Sequence, residues 1–191
     1  MKYRSEDIFT PQGILEEVEH NPNLDLLMNI FNIPRAFGVS GFGGNWNVGM
    51  HSVASAFIAL YWAKFNKFDE AKTNKLAARA LLHDLHEAVT GDILPMFKTK
   101  TSKARLKEIQ KNIVTALNMK EEEDMEIDLK IVDLVAFYYE IRQVSPNILH
   151  PRKLKLAHTM AERQLAILVD YAKENKIKKS KIQQFLQFLN I

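Results

Sequence analysis

Residues that break helices are scarce in this chain and gather in a few places. Five of the seven glycines (Gly38, Gly41, Gly43, Gly44 and Gly49) crowd one stretch, and Pro146 and Pro151 bracket a second break near Asn147. Between the breaks, apolar residues recur at three- and four-residue intervals. No stretch shows the sustained alternation of a half-buried strand. The expected fold class is therefore all-α. A length of 191 residues fits one domain with a core of its own, so a single helical bundle is expected over residues 1–191.

Helices are expected near 13–20 and 23–31, followed by a long irregular loop over 32–47. Val48–Asn66 is apolar nearly all the way round (Val53, Ala54, Phe57, Ile58, Leu60, Tyr61, Trp62, Phe65), which predicts a helix in the middle of the bundle. Asp69 is a candidate N-cap for a helix running to about residue 86. Gly91 and Pro95 mark a loop, and Ser102 is the candidate cap of a helix through residue 117. A helix over 128–144 has an apolar face from Ile131, Leu134, Val135 and Tyr138. Two more, 152–173 and 178–189, pack on a core of about 24–145. Phe185 and Phe188 on the last helix are expected to be exposed and available for a homo-oligomer contact.

Composition excludes several classes of function. There is no cysteine, so disulfides and thiolate zinc sites are ruled out and a metal must be held by His, Asp, Glu or backbone oxygen. The net charge of +3 is too mild to imply a nucleic-acid partner. The first residues lack the apolar stretch of a signal peptide. The longest apolar run, 53–63, is interrupted by Ser55 and too short to span a bilayer. A cytoplasmic protein without a membrane partner is expected. Gly41-Phe42-Gly43-Gly44 lacks the Lys-Ser/Thr ending of a phosphate-binding loop and no strand precedes it. It reads as a lid or a lead-in to the next helix.

Four residues lie in or at the ends of helices that otherwise read as buried. His51 opens the Val48–Asn66 helix, His83 and Asp84 follow Leu81-Leu82, and Asp133 sits amid Ile131, Val132, Leu134 and Val135. A carboxylate on an apolar helix face is costly unless paired or metal-bound. Two imidazoles and two carboxylates suit a divalent cation and leave positions for water and a phosphoryl oxygen. Singly, each has an ordinary structural explanation, such as an ion pair of Asp133 with a lysine or with Arg142. Jointly, on three helices in the order His…His-Asp…Asp, they are more specific.

That order on an all-α background resembles the HD-domain phosphohydrolases. The run from Leu82-His83-Asp84 through Glu87, Thr90-Gly91-Asp92 and Pro95 to Lys98 is similar to the bacterial 5′-deoxynucleotidase branch and to related phage enzymes that hydrolyse dATP. Val48-Gly49-Met50-His51-Ser52 matches the family's first-histidine helix, and Ile131-Val132-Asp133-Leu134 matches its last metal helix. The resemblance covers roughly residues 24–145. It implies that His51, His83, Asp84 and Asp133 bind a divalent metal (Mn, Co, Zn or Mg). It implies that Glu87 positions or deprotonates the attacking water, with Asp92 near the sugar or leaving oxygen. Lys98 would neutralise phosphate charge, and Arg35 would contact phosphate and sugar. The substrate implied is a small deoxynucleotide, cleaved as a monophosphate by a 5′-deoxynucleotidase or as a dNTP by a triphosphohydrolase. A non-catalytic nucleotide-binding HD module is the alternative.

The chain departs from the family pattern twice. Met50 stands where a Glu usually precedes the first histidine, so a hydrogen bond behind His51 is expected to be missing. Arg35-Ala36-Phe37 replaces an Arg-Trp pair, leaving Phe37 or Trp46 as the candidate aromatic surface. His86 reads equally as a surface residue or a phosphate contact. Lys100, Lys103 and Arg105 extend the basic character toward a longer phosphate chain, or else form a solvated helix start. Glu126 and Asp128 read as helix N-terminal charges. The Lys, Ile and Asn content suits an AT-rich genome, phage included, in which case the protein would work in the host cytoplasm.

Overall fold

The computed structural model describes residues 13, 16, 19–35, 46–93, 97–119, 125–144 and 148–191. The fold is all-α. Among the described residues there is no strand, only one isolated bridge between Pro34 and Asn47. No helix among them is long and apolar enough to cross a membrane. The helices are α1 (Leu24–Met28), a 3-10 turn (Asn29–Asn32), α2 (Val48–Asn66), α3 (Glu70–Leu82), α4 (Glu87–Thr90), α5 (Lys100–Ala116), α6 (Glu126–Val144), α7 (Pro151–Glu174) and α8 (Lys179–Phe188). The Gly-rich stretch 38–44 and Pro95 lie outside the described residues.

The described residues form two compact units. The first holds those up to 35 with 47–49 and 82–119. The second holds Trp46, 50–81 and those from 125 onward. The core of the first is Ile30, Val48, Leu85, Ala88, Ile109 and Ile113, with Leu26, Leu27, Ile33, Leu82 and Val89 packed around it. Asn23 caps α1 by accepting from the Leu26 amide at 2.9 Å, and Asn29 donates to the Ala88 carbonyl at 2.7 Å. The Val48 amide donates to the Ile33 carbonyl at 3.0 Å. These bonds set the segment carrying Arg35 beside the first turn of α2. Gly49 is needed there, since an added Cβ would lie 2.5 Å from the Phe31 ring.

The core of the second unit is built by Ile58, Ala59, Trp62, Leu76, Met125, Ile131, Val135, Leu168, Ile182 and Phe185, among others. Trp62 meets Phe185 edge to face at 4.8 Å and donates to Asp128 at 2.8 Å. Asp128 is thus an internal acceptor as well as a helix-start charge. On α2 one face is buried, carrying His51, Ser55, Ile58, Ala59 and Trp62, while Met50, Phe57, Leu60 and Tyr61 on the other are exposed. The central position expected for this helix is therefore corrected to a half-buried one. An apolar residue count does not reveal which side faces the core, because the exposed side is apolar too.

Three further expectations are corrected. Asp69 does cap α3, accepting from the Lys72 amide at 2.7 Å, but the helix ends at Leu82, and His83–His86 form a turn before α4. Helix α5 is capped by Thr99, which accepts from the Ser102 amide at 3.1 Å. Ser102 is the third residue of that helix, because a hydroxyl acceptor works from the extended residue ahead of the first turn. Phe185 is fully buried, and Phe188, though 42% exposed, lies against Phe65 and Tyr61 at 5.8 and 6.1 Å. The last helix completes a core before it can offer a surface.

Candidate functional site

In the first unit, the turn after α3 and the short α4 gather a charged cluster. Leu85 and Ala88 are anchored in the core, which holds His83 and Asp84 on the turn ahead of Leu85 and Glu87 at the start of α4. His83 Nε2 lies 3.2 Å from Asp84 Oδ2. Arg35 Nη1 lies 3.6 Å from the same Asp84 oxygen and 4.0 Å from Glu87 Oε2. Lys98 Nζ approaches the other Glu87 oxygen at 3.9 Å. Arg35, His83, Asp84, Glu87 and Lys98 are thus brought together in this unit. The helix did not have to continue for this, because the turn keeps Asp84 and Glu87 near one arginine.

Glu87 is 2% exposed, and its Oε2 has no hydrogen-bond partner among the described residues. Burial first, then the charges of Asp84 and Asp92, push its carboxyl up to about 8; Arg35 and Lys98 pull the other way. Asp92, half-buried after Gly91, therefore belongs to the same electrostatic neighbourhood. Gly91 has φ +70, a backbone that favours glycine, and it ends α4 so that Asp92 leaves the helix.

His86 is buried, not a surface residue. Its backbone amide donates to Gln110 Oε1 at 3.1 Å, and its Nδ1 lies 3.2 Å from the same oxygen. Gln110 in turn donates to the Leu82 carbonyl. Burial lowers the imidazole's proton affinity, opposed by Asp84 and Gln110. Gln110 thereby ties the His83-Asp84 turn to α5, a role with no motif to announce it. Arg105 is engaged by Glu19 at 2.6 Å and Glu108 at 3.0 Å, while Lys100 and Lys103 are exposed on the first turn of α5.

In the second unit, His51 is fully buried and faces a carboxylate at each ring nitrogen. Nε2 lies 3.2 Å from Asp133 Oδ1, and Nδ1 lies 3.2 Å from Glu140 Oε2. Asp133 Oδ2 accepts from Lys130 at 2.6 Å. Met50, where the family resemblance implies a glutamate, is 40% exposed. The expected gap behind His51 is filled from another helix, by Glu140. That residue escaped the sequence reading, although the signal was present. Glu140 is a carboxylate among Tyr138, Tyr139 and Ile141, two turns after Asp133 and so on the same face of α6.

The donor sets fit a divalent ion. Ligand atoms about 2.1 Å from one cation and roughly at right angles to each other stand about 3 Å apart. His51 Nε2 and Asp133 Oδ1 have that spacing, as do His83 Nε2 and Asp84 Oδ2. With its proton on Nδ1, His51 donates to Glu140 and leaves the Nε2 lone pair for a metal. Of the aromatic candidates, Trp46 packs edge to face on Tyr139 at 6.1 Å, and Phe37 lies outside the described residues.

A family model described as an HD domain matches residues 44–184, a span that contains His51, His83, Asp84 and Asp133. No curated protein and no solved structure matches the chain.

Proposed function

The chain belongs to the HD-domain family, whose members are generally metal-dependent phosphohydrolases, and we propose that it hydrolyses a 2′-deoxynucleoside 5′-phosphate. In this reading His51, His83, Asp84 and Asp133 hold one divalent ion. When bound, the ion lowers the pKa of a water and takes up charge on a phosphoryl oxygen. The observation that carries the reading is the Glu87 carboxyl flanked by Arg35 and Lys98 beside Asp84. It supports phosphate chemistry because two cations stand beside a buried group able to accept a proton.

Each side chain then has a task. Arg35 and Lys98 bind phosphoryl oxygens and offset charge as the ester bond breaks. Glu87 orients water and, in its ionised form, accepts the water's proton, for which a raised proton affinity suits it. Asp92 accepts a hydrogen bond from the sugar or leaving group. Because Arg105 is already engaged by Glu19 and Glu108, fewer cations remain for a long phosphate chain. This favours a monophosphate substrate over a triphosphate.

The test is product analysis. The purified protein is incubated with Mn²⁺, Co²⁺ or Mg²⁺ and a panel of deoxynucleoside mono- and triphosphates with their ribonucleotide counterparts. Orthophosphate from deoxynucleoside monophosphates is expected. Tripolyphosphate from dNTPs would make the protein a triphosphohydrolase instead. Nucleotide binding without turnover would overturn the enzymatic reading.

A further inference from the structure

We propose that Gln110 is a positioning residue for the metal-binding turn: its carboxamide is inserted between the backbone groups of Leu82 and His86 and holds open the segment from which His83 and Asp84 reach one cation. The inference rests on the metal reading above for what the turn holds, and on hydrogen bonds within the first unit for how it is held. In a continuous helix the amide of residue 86 donates to the carbonyl of residue 82, four positions back. Here another group stands between those two. The Leu82 carbonyl accepts from Gln110 Nε2, and the His86 amide donates to Gln110 Oε1 at 3.1 Å. One side-chain amide thus takes the place of one backbone hydrogen bond, offering its donor to one partner and its acceptor to the other. The Leu82 carbonyl also accepts from the Leu85 amide at 3.2 Å, one residue short of the helical partner. A side chain inserted into the ladder in this way kinks or breaks a helix. Accordingly α3 ends at Leu82, and residues 83–86 form a turn before α4.

The break has a consequence for the ligands. Neighbouring residues on a regular helix point about 100° apart and do not face each other. His83 and Asp84 nevertheless converge, with Nε2 3.2 Å from Oδ2, the spacing of two donors on one ion. Two consecutive side chains can serve one cation here because the backbone between Leu82 and His86 is released from the helical pitch. Glu87 then follows at the start of α4, near the same Arg35 guanidinium that approaches Asp84. Gln110 is itself firmly placed. Ile109 and Ile113, its neighbours on α5, are buried in the core that also holds Leu85 and Ala88. The position of the turn is therefore set by α5 and not left to the turn's own residues.

The test compares wild type with two variants. Gln110→Met keeps the length of the side chain and removes both donor and acceptor. Ile113→Val loosens the same helix without touching the turn. In the metal-free wild type, long-range HNCO spectra should show couplings across two hydrogen bonds, from the Gln110 side-chain nitrogen to the Leu82 carbonyl and from the His86 amide to Gln110 Cδ. In Gln110→Met, the ¹³Cα shifts of residues 83–86 should move toward helical values as the backbone bond closes. Zinc affinity, measured by competition with a chromophoric chelator, should fall roughly 10- to 100-fold in Gln110→Met and stay at the wild-type level in Ile113→Val. A direct coupling of the His86 amide to the Leu82 carbonyl in wild type overturns the proposal. So does a folded Gln110→Met protein with unchanged shifts or wild-type zinc affinity. An equal loss of affinity in Ile113→Val also overturns it, because that is the mark of a merely structural role. If Gln110→Met does not fold, the wild-type couplings decide: their presence supports the proposal and their absence overturns it. If the wild-type protein binds no zinc, the functional reading fails, and the couplings and shifts judge Gln110 by the same outcomes.

Discussion

The guanidinium of Arg35 stands 4.0 Å from the carboxylate of Glu87. The distance is too long for a direct hydrogen bond and short enough for strong charge coupling in a buried setting. An anion placed between flanking cations such as Arg35 and Lys98 would complete the cluster. Arg35→Ala is expected to lower kcat/KM for a deoxynucleotide on the order of 100-fold, with metal content unchanged. Steady-state kinetics paired with metal analysis would check it. An equal loss of metal and activity would mean that Arg35 supports the turn and not the phosphate.

Glu87 gives the metal-free protein a characteristic pH dependence. Its carboxyl is raised from 4.5 to about 8 by burial and by Asp84 and Asp92. The folded state therefore holds this proton where the unfolded chain has lost it. The sign follows: stability falls as pH rises from 4.5 to about 8 and levels off above. Melting curves in chelator should show this slope in wild type and its reduction in Glu87→Gln. The same variant should lose about 100-fold or more in kcat. A wild-type excess of stability that grows over this pH range would contradict the assignment.

Gly49 packs its bare Cα against the Phe31 ring. Replacing glycine by alanine inside a helix ordinarily stabilises by up to about 1 kcal/mol. Here the added methyl would overlap ring atoms, and overpacking costs about 1–3 kcal/mol. Gly49→Ala is therefore expected to destabilise, and much of the loss should vanish in a Phe31→Ala background. Urea unfolding of the four proteins of that cycle would measure the coupling.

Phe185 lies fully buried against Trp62 and Phe65. Phe185→Ala should cost about 3–5 kcal/mol, whereas Phe188→Ala, at the exposed end of the same helix, should cost far less. Denaturant midpoints would separate the two. Equal small losses would return α8 to the role of a surface appendage.

Much of the fold was legible because helix formation is local. Apolar spacing and clustered breakers placed α2, α6, α7 and α8, and Asp69 capped α3 as its residue type suggests. The ends of helices were less legible. Thr99 and Ser102 are both competent caps, and only the backbone conformation at Thr99 decides between them. The turn at His83–His86 has no glycine or proline to announce it. It forms because Leu85 is drawn into the core and Gln110 holds the His86 amide.

The sequence by itself determined the chemistry available: an all-α chain carrying His51, His83-Asp84, Glu87 and Asp133 in the order of the HD family. Those residue types and spacings are properties of the chain, and the HD-domain family model matches residues 44–184, the span that holds them. Only tertiary structure decided which groups share an environment. It brought Glu140 to the back of His51, set Arg35 and Lys98 on either side of Glu87, engaged Arg105 with Glu19, and turned Phe57 outward while burying Trp62. Side-chain type sets what a group can do, but burial and neighbouring charge, which fix its proton affinity and its partners, arise from residues far apart in the chain.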